Sequence, residues 1–329
     1  MRSPIQQGSP ILRSTSTKYL GIRLTTSPDY LSAYEREMRG KAARNKGVLC
    51  QRSLWSYSRY EVMRALWKMV AVKGLTYANA VLCLSSGVWE FLERRQREIG
   101  RLAPGVRRLT PVEAIQEEMG WSSFTAREAV AKATYENQLL RLPGENVARP
   151  VMVHTIFAEK STKWMRRTAA LRRHFGLPTI CLEDAAQKPR DPMSRGTRLQ
   201  VRQREAAAWR KAAEQKSSLE LYRSEKLEIR TECCYDNSKG SALLAEAKAG
   251  VLRTRIWRER FTEGVSTTCA LCGESDETLC HVVLECGGIF PTRTQALPTA
   301  LGFKTEEGGA AEVTKKRLEF WWQHGALRR

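Results

Sequence analysis

The chain has 329 residues, with 55 Lys+Arg against 35 Asp+Glu, a formal charge of +20. Its length allows one large or two ordinary domains, and 42% hydrophobic residues exclude wholesale disorder. The basic excess points to a polyanionic partner, nucleic acid before an anionic membrane surface. The first ten residues hold no apolar core, and the uncharged stretch 74–89 is interrupted by Thr76, Asn79, Ser85 and Ser86. Neither a secretory signal nor a spanning helix is expected, so the protein is expected in the cytoplasm and/or nucleus, not secreted and not in the membrane. Nine cysteines, an odd number, favour metal ligation or free thiols over a disulfide framework.

Residues 1–13 are expected to be disordered. In 14–26, Tyr19, Gly21, Ile22 and Leu24 suit a short strand or hairpin, Gly21 marking a bulge or a close backbone approach. Ser27-Pro28-Asp29 reads as a helix cap. Tyr60, Met63, Trp67 and Val70 recur on one helical face, and so do Val88, Phe91, Leu92, Ile99 and Leu102. Thr110-Pro111-Val112-Glu113 and Thr125-Ala126-Arg127-Glu128 read as capping boxes. The first opens a helix with Val112, Ile115 and Met119 on its apolar face, the second one with Ala129, Val130, Ala133 and Leu140. Residues 14–148 should form one helical domain. Trp55, Trp67, Trp89, Trp121 and Trp257 are expected mostly in cores, and Cys50, Cys83 and Cys181 are expected to be buried.

Residues 149–240 form a basic connector; from 159 to 230 there are 18 Lys/Arg and 9 Asp/Glu. The stretch 198–226, charged and alanine-bearing, predicts a long surface helix. Residues 241–329 carry the cysteine cluster, then a closing helix over 310–324 with Val313, Leu318, Phe320, Trp321 and Trp322 available for docking.

The sharpest pattern is Cys269-x2-Cys272-x8-His281-x4-Cys286. Two cysteines separated by two residues can turn both sulfurs toward one point, and Gly273 allows the tight turn whose amides face the thiolate. His281 begins one helical turn with Glu285 on the same face, and Gly287-Gly288 can end it. Four soft or borderline ligands within 18 residues predict a closed, structural zinc site. Cys280, beside His281, is an alternative ligand in place of His281 or Cys286. Adjacent Cys233-Cys234 suit a core or free thiols. Asp276-Glu277-Thr278 reads as a cap before the histidine turn.

Two separated patches resemble one family. Lys18-Tyr19-Leu20-Gly21-Ile22 resembles the segment after the catalytic palm in reverse transcriptases of non-LTR retrotransposons. Cys269-x2-Cys272…Glu277-Thr278-x2-His281-x4-Cys286 resembles their C-terminal zinc-binding segment. Between them, Thr76-Tyr77 to Val88-Trp89 and Leu92-Glu93-Arg94-Arg95-Gln96 resemble the thumb, and Val251-Leu252-Arg253-Thr254-Arg255 fits before the zinc segment. The resemblance runs from about Thr17 to about Arg293. It implies a mainly α fold: a thumb-like bundle with a short N-terminal β-hairpin, the basic helical connector and a small zinc-binding module. The sequence departs from the family in having no Asp-Asp pair for two-metal polymerisation and no Pro-Asp nuclease pattern after Cys286. The resemblance therefore implies a non-catalytic C-terminal piece of an RNA-directed DNA polymerase, with the missing palm region as a further partner.

A thumb holds a duplex by its backbone, so the family implies Lys/Arg contacts to phosphates. The candidates are Arg94, Arg95 and Arg97, with Arg101, Arg107 and Arg108; Lys160, Lys163, Arg166, Arg167, Arg172 and Arg173, with Trp164 and Phe175 for stacking; and Arg253, Arg255 and Arg258, with Arg260. The alternative expectation is a zinc-stabilised protein-interaction module of a domesticated transposon fragment. A standalone enzyme has least support, since no acid–base pair or nucleophile–base cluster is recognisable.

Overall fold

The computed structural model describes residues 5–6, 9–10, 15–19, 22–26, 30–157, 162–179, 192–226, 229, 234–290, 293–303 and 308–325, and in them the protein is mainly helical. Two short antiparallel pairs open it. β1 (Ile5–Gln6) pairs with β2 (Ser9–Pro10), inside the stretch expected to be disordered. β3 (Ser16–Tyr19) pairs with β4 (Ile22–Thr25), Tyr19 opposite Ile22. This is the expected hairpin, although its connection, Leu20 and Gly21, lies outside the described residues. Ile22 packs against the first helical core.

α1 (Tyr30–Leu54) sends Tyr34, Met38, Ala42 and Leu49 into that core. The cap expected at Ser27-Pro28-Asp29 lies outside the described residues. α2 (Arg59–Leu66) is capped by Ser58, whose hydroxyl accepts the Glu61 amide at 3.3 Å. It buries Tyr60 and Met63, then widens into a π turn over Trp67–Ala71 before α3 (Val72–Thr76). The wide turn inserts one residue. Trp67 keeps its inward place, but Val70 is turned to solvent and Ala71 and Val72 are buried in its stead.

α4 (Ser86–Leu102) buries Val88, Leu92 and Ile99, while Leu102 is exposed. Glu35 on α1 ties down the start of α4, accepting from the Ser85 amide at 2.6 Å and the Ser85 hydroxyl at 2.9 Å. α5 (Val112–Met119) does not use the expected capping box. Pro111 takes the cap position, the Thr110 hydroxyl is buried without a partner, and Glu113 pairs instead with Lys216. α6 (Phe124–Leu140) is capped by Ser123, which accepts the Ala126 amide at 3.1 Å, two residues before the expected Thr125. Glu128, expected to reach back to that cap, faces inward.

α7 (Ala148–Phe157) and α8 (Lys163–Phe175) both pack on α6. α9 (Pro192–Glu214) also lies on α6, and the expected long helix stops at Glu214. A 3-10 turn then leads to α10 (Glu220–Glu225). Val201, Trp209, Ala213, Leu219 and Tyr222 are buried, so this charged stretch is docked along one side and does not lie free. α11 (Lys239–Lys248) packs along the closing helix α14 (Gly308–His324). Leu318 and Trp321 of α14 are buried but Phe320 is exposed. Each fully buried Leu or Trp of this kind contributes about 1.5–3 kcal/mol. A π turn over His281–Glu285 and α13 (Leu297–Ala300) complete this second core, while the short α12 (Arg255–Glu259) buries no residue.

The two cores meet at a buried ionic seam. Tyr60 and Tyr222 donate to the carbonyl and carboxylate of Glu118 respectively. Lys248 lies 3.7 Å from the Glu118 carboxylate, Lys226 lies 3.3 Å from that of Glu117, and Arg107 pairs with Glu246. Among the described residues no helix is long and apolar enough to cross a membrane.

Candidate metal centre

The site is built on two loops. The first is a turn: an isolated bridge pairs Thr268 with Asp276, and the Cys269 amide donates to the Ser275 carbonyl at 2.8 Å. Inside it the Gly273 amide reaches back to the Cys269 carbonyl at 2.9 Å, with Gly273 at φ +70°, a conformation in which a side chain is strained. The second loop is the π turn over His281–Glu285, followed at once by Cys286. Gly288 holds the loops together: a Cβ there would lie 2.7 Å from the Leu271 carbonyl oxygen, so only glycine lets them close.

One ligand atom from each of Cys269, Cys272, His281 and Cys286 falls within 4.8 Å of every other. The Cys269 and Cys286 sulfurs are 3.7 Å apart, and the Cys272 sulfur is 3.4 Å from His281 Nε2. A tetrahedral ion with bonds of about 2.0–2.3 Å requires ligand separations of about 3.5–3.8 Å. The four expected residues therefore converge and could hold a metal ion. Cys280 does not join them. Its sulfur turns outward to Glu285 Oε1 at 3.2 Å, and burial together with that carboxylate pushes the thiol up to about 11.

The supporting shell explains the residues between the ligands. The Thr278 hydroxyl accepts the His281 amide at 2.9 Å, capping the histidine turn as expected. Glu277 is buried and accepts the Arg255 amide at 2.9 Å, tying the turn to the start of α12. Glu285 sits 4.0 Å from His281 Nδ1, on the ring edge away from the sulfurs. Amides of Glu274 and Ser275 hold the Cys272 thiol below its ordinary value, whereas burial pushes Cys286 up to about 12. An ion bound here must displace protons from the thiols it takes.

Arg317 is the functional residue that motif reading misses. It is 1% exposed, and its guanidinium donates to the carbonyls of Val282, inside the second ligand loop, and Ile289, just after it. A signal was available: Thr314, Arg317, Leu318 and Trp321 fall at helical spacing, which puts Arg317 on the buried stripe of α14.

The basic candidates divide. Arg94 is exposed, Arg95 pairs with Glu98 at 2.7 Å over the ring of Phe91, and Arg97 donates to the Glu93 carbonyl at 3.2 Å. With Arg101 and Arg108, both Arg94 and Arg97 line an open cleft of about 690 Å³. In the second set Lys160 lies outside the described residues, while Lys163, Arg166 and Arg173 are exposed. Arg167 and Arg172 have another role. Arg167 reaches the buried Glu128 at 2.6 Å, and Arg172 is buried on Glu136 at 2.5 Å and Asn137 at 2.8 Å. Trp164 is tied to the Ala80 carbonyl at 2.7 Å and Phe175 is core, so neither is a free platform. In the third set Arg253 is exposed and Arg258 half-buried, and Arg255 lies 3.9 Å from Glu277. Among the tryptophans, Trp67, Trp89 and Trp121 are buried, but Trp55 is 92% exposed because α1 has ended before it. Cys83 is buried and Cys50 half-buried; Cys181 and Cys233 lie outside the described residues.

No protein-family model, curated protein or solved structure matches this chain.

Proposed function

We propose that the protein is the nucleic-acid-holding, non-catalytic C-terminal part of a non-LTR retrotransposon reverse transcriptase, stapled by a structural zinc ion. The observation that carries this reading is the meeting of Cys269, Cys272, His281 and Cys286 in the order in which the resemblance pairs them, on a chain of charge +20. Three thiolates and an imidazole suit zinc better than the oxygen-seeking divalent ions. Four protein ligands leave no open position for water or substrate, which suits a staple and not a catalyst. Glu277 and Thr278, the remaining members of the motif, have structural work in holding the loop. The exposed arginines Arg94, Arg166, Arg173 and Arg253 supply backbone contacts to RNA or DNA.

Elemental analysis of the purified chain should find about one zinc per molecule, in keeping with one closed four-ligand site. Cys272→Ser should lose it and Cys280→Ser should retain it, since only the former sulfur faces the cluster. Filter binding to RNA should weaken steeply as salt rises. Zinc retention in Cys272→Ser would refute the staple, and no retention of RNA or single-stranded DNA at low salt would refute the nucleic-acid role.

A further inference from the structure

An open cleft of about 810 Å³ is walled by the lead-in to α5, the 3-10 turn at Ser217 and Ser218, the turn after α11, and α12 with the turn that follows it. Pro111 and Val251 line its apolar side. Trp257 and Phe261 stand on the opposite wall, one helical turn apart, with ring centroids 4.7 Å from each other. Phe261 is 71% exposed, and nothing in the fold requires an aromatic ring in that position. Arg253, Arg258 and Arg260 also line the cleft, with Arg253 5.7 Å from the Trp257 ring.

The charges here have few carboxylates to answer them, Glu277 being the one that acts on Arg258. Glu277 is committed to the Arg255 amide and Glu246 to Arg107. Among the described residues, Arg253, Arg258 and Arg260 make no ion pair. Burial, with the charges of Arg255, Arg253 and Arg107 added, holds the Arg258 guanidinium below its ordinary value against the pull of Glu277. Cations gathered around an aromatic pair of which Phe261 is exposed and Trp257 half-buried are complementary to a ligand that is anionic and has a flat apolar face. An unpaired nucleotide has both, whereas a duplex keeps its base faces stacked inside and offers only phosphates.

We infer that this cleft takes a nucleotide of a single strand, its base stacking on Phe261 and Trp257 and its phosphates lying among Arg253, Arg258 and Arg260. The inference rests on the nucleic-acid reading above and narrows it to a strand state and a place. α12 is anchored through Arg255 to Glu277 of the ligand loop, so the aromatic wall is held by the same turn that presents Cys269 and Cys272.

The test is fluorescence anisotropy with a fluorescein-labelled oligothymidine of about 12 nucleotides, within the span of one single-strand site, and with a duplex of the same length. Phe261→Ala removes an exposed ring and leaves the fold in place, with circular dichroism as the check. It should weaken single-strand binding about tenfold, the loss expected for one stacked base, and leave duplex binding unchanged. Arg258→Gln and Arg260→Gln should each flatten the salt dependence for the single strand, by about 0.7 in slope for every phosphate no longer neutralised. Unchanged single-strand affinity in Phe261→Ala, or an equal loss on both probes, would overturn the cleft and spare the broader reading. Failure of the unsubstituted protein to bind either probe would overturn both.

Discussion

A residue's chemical type decides its role here less than the partner it meets. Arg167, Arg172 and Arg317 carry the same charge as Arg94 and Arg166, but they are spent on carboxylates and carbonyls inside the chain. Glu117 is the sharpest case. It is fully buried next to Glu118, and burial followed by that second carboxylate pushes its pKa from 4.5 to about 8 despite Lys226 and Lys248. The native state then keeps a proton that the unfolded chain releases at lower pH. Stability from this group is full below about pH 4.5 and is lost as pH rises toward 8. Urea denaturation should show the unsubstituted protein losing up to about 1.4 kcal/mol per pH unit across that window from this source. Glu117→Gln should remove that slope and be the more stable of the two at pH 8. Equal slopes in the two proteins would show that Glu117 titrates normally.

At the scale of elements, the sequence reveals where helices lie more readily than how they begin. The stripes Tyr60, Met63, Trp67 and Val88, Leu92, Ile99 are buried as their spacing demands, because a 3.6-residue period is a local property. The cap motif fails at α6 because Ser123 and Thr125 can both accept the first free amide, and at α5 because Pro111 takes the cap position and no side chain accepts there. Tertiary packing then chooses, placing Glu128 under Arg167 and Glu113 against Lys216. The π turn at Trp67–Ala71 was illegible for a related reason: nothing in the local pattern marks the inserted residue, and only the exposure of Val70 betrays it. The convergence of Cys269, Cys272, His281 and Cys286 was legible because their spacing is itself the geometry. The pairing of Glu117, Glu118, Lys226 and Lys248 was not, since it joins segments more than a hundred positions apart. The caps can be told apart by thermal or urea denaturation. Ser123→Ala should cost about 1 kcal/mol, whereas Thr110→Val, which replaces a buried hydroxyl that has no partner, should be neutral or stabilising.

For the whole molecule, the internal pairs Arg107–Glu246 and Arg172–Glu136 cancel within themselves, so the formal charge of +20 is carried by the other residues. The exposed basic residues are spread over α1, α4, α8, α9 and the segment around α12. The strut at Arg317 has a consequence for how long an ion resides. Its guanidinium grips one peptide oxygen inside the second ligand loop and one just after it, from a helix that begins 22 residues after Cys286. Were an ion held there, its departure would require the closing helix to loosen as well, which would convert a local exchange into a cooperative opening. Arg317→Met should keep all four ligands yet surrender its ion to a chromogenic chelator at least about tenfold faster, as loss of an outer-sphere support does elsewhere. The last helix would in this sense be a latch, setting the lifetime of a coordination sphere to which it contributes no ligand.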